Sequence, residues 1–196
     1  MKPTTKKAVR QLNAAMAPAV QNFKPPEELT VAEWADKHRR LSPETSAEAG
    51  PWRTSRTPYL REPMEAFTDP KVHKIVMVAA SQVGKTEVEL NIIAYIIDQD
   101  PGSILFVHPS LEDARKFSRI RIAPMIRDSK PLREKVSDVK AKDSGNTILQ
   151  KSFPGGMLTI TGSNSASALA STPCRYIIGD ERDRWAISAG TEGDPW

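Results

Sequence analysis

The sequence predicts an α/β domain of three layers with a mainly parallel sheet, and three apolar runs lead to this prediction. The run 75–80 is rich in β-branched residues, and the run 104–107 resembles it. A third run, 176–178, is followed closely by two carboxylates. Runs that are apolar throughout are typical of strands buried on both faces of a parallel sheet. Apolar residues between the first two runs recur at helical spacing, so a βαβ unit is predicted.

Length and composition fit one globular domain. The chain has 196 residues, of which 39% are hydrophobic, and this content is enough to bury a core. No stretch approaches the roughly 18 apolar residues of a membrane helix, and the N-terminus has no signal-peptide core. We therefore expect a cytoplasmic protein without membrane contact. The single cysteine, Cys174, excludes an internal disulfide and a zinc site built on several cysteines.

Positive charge is concentrated in the first third of the chain. Residues 1–61 hold 11 Lys and Arg against 6 Asp and Glu, although the whole chain has a net charge of only +4. This bias is compatible with nucleic acid or an acidic partner, while scattered Lys and Arg more often form a solvated surface. The histidines, His38, His73 and His108, are not clustered and are interpreted as structural or surface residues.

The N-terminal part is expected to precede the sheet as a helical extension. Residues 1–28 contain several prolines and many small or charged residues, which favours a flexible tail. Thr30 followed by Glu33 forms a capping box, and apolar residues at helical spacing continue to Leu41. A short amphipathic helix is predicted there. A loop with aromatic residues follows, and residues 29–70 together form the extension.

The segment 74–87 predicts a phosphate-binding loop between a strand and a helix. Gly84 lets the backbone approach a phosphate at the helix start, where free N–H groups and the helix dipole attract anions. Lys85 would reach the β- and γ-phosphates, and the Thr86 hydroxyl would bind Mg²⁺. Ala79 stands where the usual G-x-x-x-x-G-K-[ST] pattern has its first glycine. Because Gly-Lys-Thr also occurs by chance, the second half of the site must be found elsewhere.

The elements that follow would complete the sheet and cover it. Residues 110–125 are predicted to form a helix capped by Ser110, and residues 131–136 a short one. Alternating residues in 147–153 and 157–161, around Pro-Gly-Gly, predict a β-hairpin inserted before the last strand. The residues of the first helix expected to face inward are Leu111, Ala114, Phe117, Ile120 and Ile122, and its basic outer face consists of Arg115, Lys116, Arg119 and Arg121.

The third apolar run supplies the second half of the site. It is followed by Asp180 and Glu181, and an acidic residue at the end of a strand can hold the metal shell of a nucleotide site. The next carboxylate can orient and partly deprotonate the attacking water. In a parallel sheet the carboxyl ends of the strands lie at one edge, so Asp180 is expected beside Thr86. The two motifs together predict nucleotide hydrolysis.

Several stretches of the chain together resemble the large terminase subunits of tailed bacteriophages, specifically the lambda-like type. They are residues 31–36, 57–62, 81–87, 117–122, 162–165 and 179–185. The similarity covers most of the chain from about residue 28 onward. It implies a P-loop NTPase of the ASCE type, with an ATPase core over residues 71–196, that uses ATP and Mg²⁺.

The resemblance assigns roles residue by residue. Lys85 and Thr86 match the first ATPase motif of the family, and Asp180 and Glu181 match the second. Lys85 and Glu181 are therefore the implied catalytic residues, and Thr86 and Asp180 the implied metal ligands. The implied ATP-binding residues are Ser81, Gln82, Val83, Gly84, Lys85, Thr86, Glu87 and Tyr59, of which Tyr59 is the candidate for stacking on adenine.

The function implied by the family is a motor that drives double-stranded DNA into a procapsid. The implied partners are the concatemeric phage genome, a small terminase subunit, reached through the N-terminal tail, and the portal protein, with homo-oligomers forming on assembly. The implied location is the host cytoplasm, transiently at the procapsid portal. We expect a chain truncated before the family's coupling motif and nuclease domain, and therefore no cutting activity.

Two alternatives and one gap remain at this stage. The chain could be another nucleic-acid-dependent, helicase-like P-loop ATPase, or a truncated nucleotide-binding module that does not hydrolyse ATP. Large terminases often carry a basic residue inside the phosphate loop, where this chain has Ser81 and Gln82. The arginine that stabilises transition-state charge is thus not identified, and the candidates are Arg115, Arg119 or an arginine of a neighbouring subunit.

Overall fold

A computed structural model describes residues 27–136, 146–189 and 193–194. Its helices are α1 (Val31–His38), α2 (Arg61–Thr68), α3 (Lys85–Asp98), α4 (Leu111–Phe117), α5 (Ala123–Asp128), α6 (Lys130–Lys135) and α7 (Ala166–Ser171). The strands are β1 (Arg40–Leu41), β2 (Gly50–Pro51), β3 (Ile104–His108), β4 (Gln150–Phe153), β5 (Gly156–Gly162) and β6 (Tyr176–Gly179). The tail predicted for residues 1–28 lies almost entirely outside the described residues.

The central sheet has four strands in the order β4-β5-β3-β6. Strand β3 runs parallel to both β5 and β6, whereas β4 pairs with β5 in the antiparallel sense. The mixed α/β fold with a mostly parallel sheet is therefore confirmed, and so is the β-hairpin. The hairpin is part of the main sheet, because its second strand, β5, pairs directly with β3. Strands β1 and β2 form a separate short antiparallel pair.

Strand β3 is buried on both faces, as its continuous apolar sequence predicts. Ile104 and Phe106 belong to the main core, which α1, α2, α3, α5 and α6 also line. Leu105 and Val107 point to the opposite face and pack with Trp185. Because successive side chains of a strand alternate between faces, this division shows that the sheet is covered on both sides.

The strand predicted for residues 75–80 is absent. The structure has no regular element between α2 and the phosphate loop, and Val76 and Val78 are 70% and 94% exposed. Met77 contacts the main core only from its edge. A buried strand must have its backbone N–H and C=O groups paired with neighbouring strands. No strand among the described residues pairs with this run, so its apolar sequence alone does not bury it.

Helices α1 and α4 begin where their capping residues predict. The Thr30 hydroxyl accepts a hydrogen bond from the Glu33 N–H at 3.3 Å, and the Glu33 carboxylate accepts one from the Thr30 N–H at 2.8 Å. Ser110 caps α4 by accepting from the Asp113 N–H at 3.1 Å. Helix α1 ends at His38, before the predicted Leu41, because Arg39 is already extended.

The helix predicted over residues 110–125 extends to Asp128 but contains a π turn at Ser118–Ile122. Pro124 has no N–H to donate, so the preceding backbone widens and the Ala123 N–H bonds to the Ser118 carbonyl. Ile120, which was expected to face inward, is exposed, while Ile122 is buried. The buried residues Ala114, Ser118, Ile122 and Met125 define the inward face, and Ile120 lies off this face at helical spacing.

The other elements matter less for the site. The short helix predicted at residues 131–136 is α6, at Lys130–Lys135, and part of the loop expected after it, residues 137–145, lies outside the described residues. Trp34 of α1 donates a hydrogen bond to Asp98 at 2.7 Å and so fixes α1 to the end of α3. Among the helices that the structure describes, none is long and apolar enough to cross a membrane.

Candidate active site

The phosphate loop ends at Gly84, which is the N-cap of α3. Gly84 has φ 90°, a left-handed conformation that glycine adopts without strain. A Cβ atom at this position would lie 2.9 Å from the Leu60 Cδ1 atom. The left-handed turn thus favours glycine, and a side chain here would also displace the end of Leu60. This packing also fixes the loop against the segment that carries Tyr59.

Backbone strain occurs at both halves of the candidate site. Among the described residues, the non-glycine residues with positive φ are Gln82 in the loop, at 59°, and Glu181 after β6, at 47°. The left-handed conformation costs roughly 1–2 kcal/mol for a residue with a side chain. Such strain persists where the surrounding structure holds it, and it is concentrated at ligand-binding and catalytic sites.

The second half of the site is anchored to the end of β6. The Asp180 N–H donates to the Val107 carbonyl at 3.0 Å, which continues the pairing of β6 with β3. The Trp185 indole donates to the Asp180 carbonyl at 2.8 Å. The Glu181 carboxylate is half exposed and forms an ion pair with Arg184. The backbone of Asp180 is therefore fixed, whereas the Glu181 side chain is open to solvent.

The fold brings the two halves into electrostatic contact. Burial raises the pKa of Asp180, and the neighbouring Glu181 raises it further, while the Lys85 ammonium lowers it. Lys85 itself donates a hydrogen bond to the Ala79 carbonyl at 2.9 Å. The lysine at the start of α3 thus lies within electrostatic range of the Asp180 carboxyl at the end of β6, although the described residues directly before α3 form no strand.

Glu89 is a member of this site that no sequence pattern identified. Its Oε2 atom is buried and has no hydrogen-bond partner among the described residues. Burial holds the pKa of Glu89 well above its usual range, and the charges of Asp180 and Glu181 add to this, whereas Lys85 opposes it. Glu89 follows Lys85 by four residues and so lies on the same helix face. That spacing is the signal that could have found it.

His108 ends β3 directly beside Asp180, with 3.7 Å between His108 Nδ1 and Asp180 Oδ2. Its ring packs on Phe106 and Phe117, with centroids 4.5 and 4.4 Å apart. Burial lowers the pKa of His108 to about 4. Because the imidazole of His108 is neutral near pH 7, its contact with Asp180 is not a charge pair. His108 therefore shapes the site without adding charge near neutral pH.

The buried His108 predicts an acid-dependent loss of stability. In the unfolded chain this imidazole titrates near 6.5, and in the folded protein at about 4. Above pH 6.5 the His108 imidazole is neutral in both the folded and the unfolded protein. As the pH falls, the unfolded chain binds a proton first, and this favours unfolding. Between pH 6.5 and 4 the wild type should lose up to about 3 kcal/mol of unfolding free energy that His108→Gln does not lose. Urea unfolding of both proteins across this range measures the difference, and parallel curves would contradict it.

A cleft of about 450 Å³ opens beside these carboxylates. Its lining contains both signs of charge, together with Phe117 and Ile120. The charged and polar residues that line it are Glu44, Thr45, His108, Asp113, Lys116, Arg121, Asp180 and Glu181. A concave site with convergent charged groups and shifted pKa values is the expected character of an active site.

The residues predicted to bind the nucleotide lie around the loop. Ser81 and Gln82 are exposed, and Val83 and Thr86 are half-buried. Glu87 differs from them, because its carboxylate is already engaged in ion pairs with Arg39 and Arg121. Tyr59 is 62% exposed, next to the Leu60 that packs on Gly84. An exposed aromatic ring beside the loop is available to a base.

The donor set fits Mg²⁺ bound through a nucleotide. Among the described residues, no group of three or more His, Cys, Asp or Glu is placed to hold a metal by itself. Mg²⁺ seldom needs such a cage, because it is usually bound by one or two protein oxygens, water and substrate phosphates. The Thr86 hydroxyl and the Asp180 carboxylate are oxygen donors of this kind. A divalent cation would also offset the repulsion between Asp180 and Glu181.

Comparison with known proteins gives consistent matches. The model of the family described as phage terminase large subunit gpA, ATPase domain, matches residues 46–196. The large terminase subunit of Escherichia phage lambda is 30% identical over 131 residues, which cover 67% of this chain and 20% of that protein. The large terminase subunit of Enterobacteria phage P21 is 26% identical over 171 residues, which cover 87% and 26%. The chain thus spans a fifth to a quarter of these relatives. No solved structure gives a significant match.

Proposed function

Because the chain belongs to the family of phage terminase large subunits, in the region described as its ATPase domain, we propose that it binds ATP with Mg²⁺ and hydrolyses it. The observation that carries this proposal is the electrostatic effect of the Lys85 ammonium on Asp180, which links the predicted phosphate loop to the acidic end of β6. Positive φ at Gln82 and Glu181 supports it. The proposed fold is the three-layer P-loop NTPase of the ASCE type, with residues 29–70 as its extension and residues 71–196 as its core.

Each half of the site has a distinct role in the proposed reaction. The N–H groups at the start of α3 hold the phosphates, and Lys85 leaves the Ala79 carbonyl to contact the β- and γ-phosphates. Thr86 and Asp180 would hold Mg²⁺, which would supply positive charge against the phosphates.

Glu181 acts on the water. Its carboxylate orients the water and accepts a proton from it as the water oxygen bonds to the γ-phosphorus. The bond from the γ-phosphorus to the bridging oxygen breaks, and its electron pair leaves with ADP. The ion pair with Arg184 orients the Glu181 carboxylate before the nucleotide binds.

Phosphate release from ATP by the purified chain tests the proposed activity. We expect steady release with MgATP, and loss of release when EDTA removes the metal, since the described part of the chain has no group of three or more His, Cys, Asp or Glu placed to hold Mg²⁺ without the nucleotide. A chain that binds MgATP and releases no phosphate would contradict hydrolysis and leave a binding module. A chain that does not bind ATP would contradict the whole proposal.

Tyr59 is proposed to stack on the adenine ring. Replacing Tyr59 by alanine should weaken ATP affinity by about tenfold, because base–aromatic stacking is worth roughly 1–3 kcal/mol, while Tyr59→Phe should retain it. Affinity for inorganic triphosphate, which has no base, should not change. Fluorescence titration with both ligands checks this, and equal weakening for both would instead indicate a displaced loop.

In the full assembly, we propose that ATP hydrolysis moves double-stranded phage DNA into a procapsid. The proposed partners are the concatemeric genome, the small terminase subunit, the portal protein and further copies of the chain, all within the host cytoplasm. The exposed basic residues Arg115, Lys116 and Arg119 of α4 and the π turn are suited to DNA phosphates. Family membership supports these proposals, and DNA-stimulated phosphate release would test them together.

A further inference from the structure

A cluster of two arginines and one glutamate lies at the first turn of α3. Glu87, which directly follows Thr86, has both carboxylate oxygens in ion pairs. Its Oε2 atom is 3.2 Å from Arg39 Nη2, and its Oε1 atom is 3.3 Å from Arg121 Nη2. Two cations therefore share one carboxylate, and the cluster carries one positive charge in excess beside the proposed phosphate site.

The two arginines differ in their surroundings. The Arg39 side chain is only 4% exposed, and it also donates to the Arg40 carbonyl. A buried charge requires a partner, so Glu87 is the counter-ion that Arg39 needs. The Arg121 side chain is 28% exposed and lines the cleft that contains Asp180 and Glu181. The excess charge is therefore that of Arg121, and it faces the cleft.

A contact with the segment between β1 and β2 fixes the position of Arg121. Arg121 itself lies in the π turn, Ser118–Ile122. The Nη1 atom of Arg121 donates to the Thr45 carbonyl at 3.1 Å, which holds the guanidinium at the cleft wall. Arg115 and Arg119, which precede it on the same helix, are exposed and do not line the cleft.

We propose that Arg121 contacts the γ-phosphate of bound ATP and stabilises the charge of the transition state. This inference rests on the proposed ATPase function. Ser81, Gln82, Val83 and Gly84 carry no positive charge, so Lys85 is the sole cationic side chain of the segment 81–86. Negative charge spreads over the three equatorial oxygens during phosphoryl transfer, and a guanidinium can bind two of them at once. Arg121 neither gives nor takes a proton, and Glu87 keeps it oriented through one ion pair.

The ratio of two affinities tests this role. An Arg121→Ala variant should bind ADP within about twofold of wild type and a non-hydrolysable ATP analogue about tenfold more weakly. Its kcat should fall by about 100-fold or more. Arg121→Lys keeps the positive charge but loses the planar guanidinium that can bind two oxygens, so its kcat should lie between those of wild type and Arg121→Ala. Arg133→Ala, an exposed arginine of α6 outside the cleft, is the matched control and should leave all three values within about twofold.

Chemical rescue separates catalysis from structure. Millimolar guanidinium added to Arg121→Ala should restore part of the lost kcat and should not restore that of Lys85→Ala. A purely structural role predicts equal weakening for ADP and the analogue and no rescue, and this result would overturn the inference. If the wild type hydrolyses ATP and the kcat of Arg121→Ala lies within about threefold of the wild-type kcat, this inference alone is overturned. Absence of wild-type ATP binding would overturn the proposed function and the inference with it.

Discussion

The Lys85→Ala variant is expected to lose most of its affinity for MgATP. Lys85 is half-buried at the first position of α3, and its ammonium donates a hydrogen bond to the Ala79 carbonyl. Its ammonium is therefore available to two phosphates, and charge-assisted hydrogen bonds contribute roughly 1.5–3 kcal/mol each. Loss of both should weaken binding by about 100-fold or more, as measured by titration calorimetry.

Lys71→Ala is the matched control for this variant. Lys71 is exposed in the turn before the loop, and its side chain should not reach the nucleotide. We expect its affinity for MgATP to stay within about twofold of wild type. If Lys85→Ala binds ATP as tightly as Lys71→Ala does, the segment 81–86 is not a phosphate-binding loop.

The Glu181→Gln variant is expected to separate binding from hydrolysis. Glutamine keeps the size of the side chain and can still accept a hydrogen bond, but it cannot accept the proton of the attacking water. The kcat should fall by about 100-fold to 10,000-fold, as for removal of a general base. Affinity for MgATP should be equal to or slightly higher than that of wild type, because repulsion between Glu181 and the phosphates is removed.

Asp183→Asn controls for the loss of one carboxylate at this end of β6. Asp183 is exposed in the Arg182–Arg184 turn and does not line the cleft. Its rate of phosphate release in a single turnover should therefore remain close to that of wild type. A Glu181→Gln protein that hydrolyses ATP at the rate of Asp183→Asn would assign the general base to another residue.

The elements that were predictable from sequence are those fixed by neighbouring residues. The Thr30–Glu33 capping box and the Ser110 cap act within one helical turn, so their sequence patterns were sufficient. Strand β3 was predictable because its burial on both faces requires a continuous apolar run. The alternating residues of β4 and β5, separated by a turn signal, also contain their own pairing information.

The elements that were not predictable depend on distant residues. The run 75–80 has a strand sequence, but whether a strand forms is decided by its hydrogen-bonding neighbours. The π turn at Ser118–Ile122 lies just before Pro124, and an apolar pattern does not reveal its wider hydrogen bond. Ile120 was expected to face inward, although it lies off the helix face that Ala114, Ser118 and Ile122 share. Within the candidate site, Asp180 and Lys85 were predicted from their motifs, and their roles remain predictions. The roles of Arg39, Arg121 and Glu89 depend on which side chains meet them in the folded chain.

The central claim is that the phosphate loop and the end of β6 form one magnesium–nucleotide site. A double-mutant cycle on Thr86→Ala and Asp180→Asn tests it most directly, with the Mg²⁺-dependent part of ATP affinity as the measured quantity and Thr86→Ser as the variant that keeps the hydroxyl. Each single variant should lose the enhancement by Mg²⁺, and the double variant should lose little more than either, since both residues hold the same ion. Losses that add fully in the double variant would show two independent effects and would contradict a shared site.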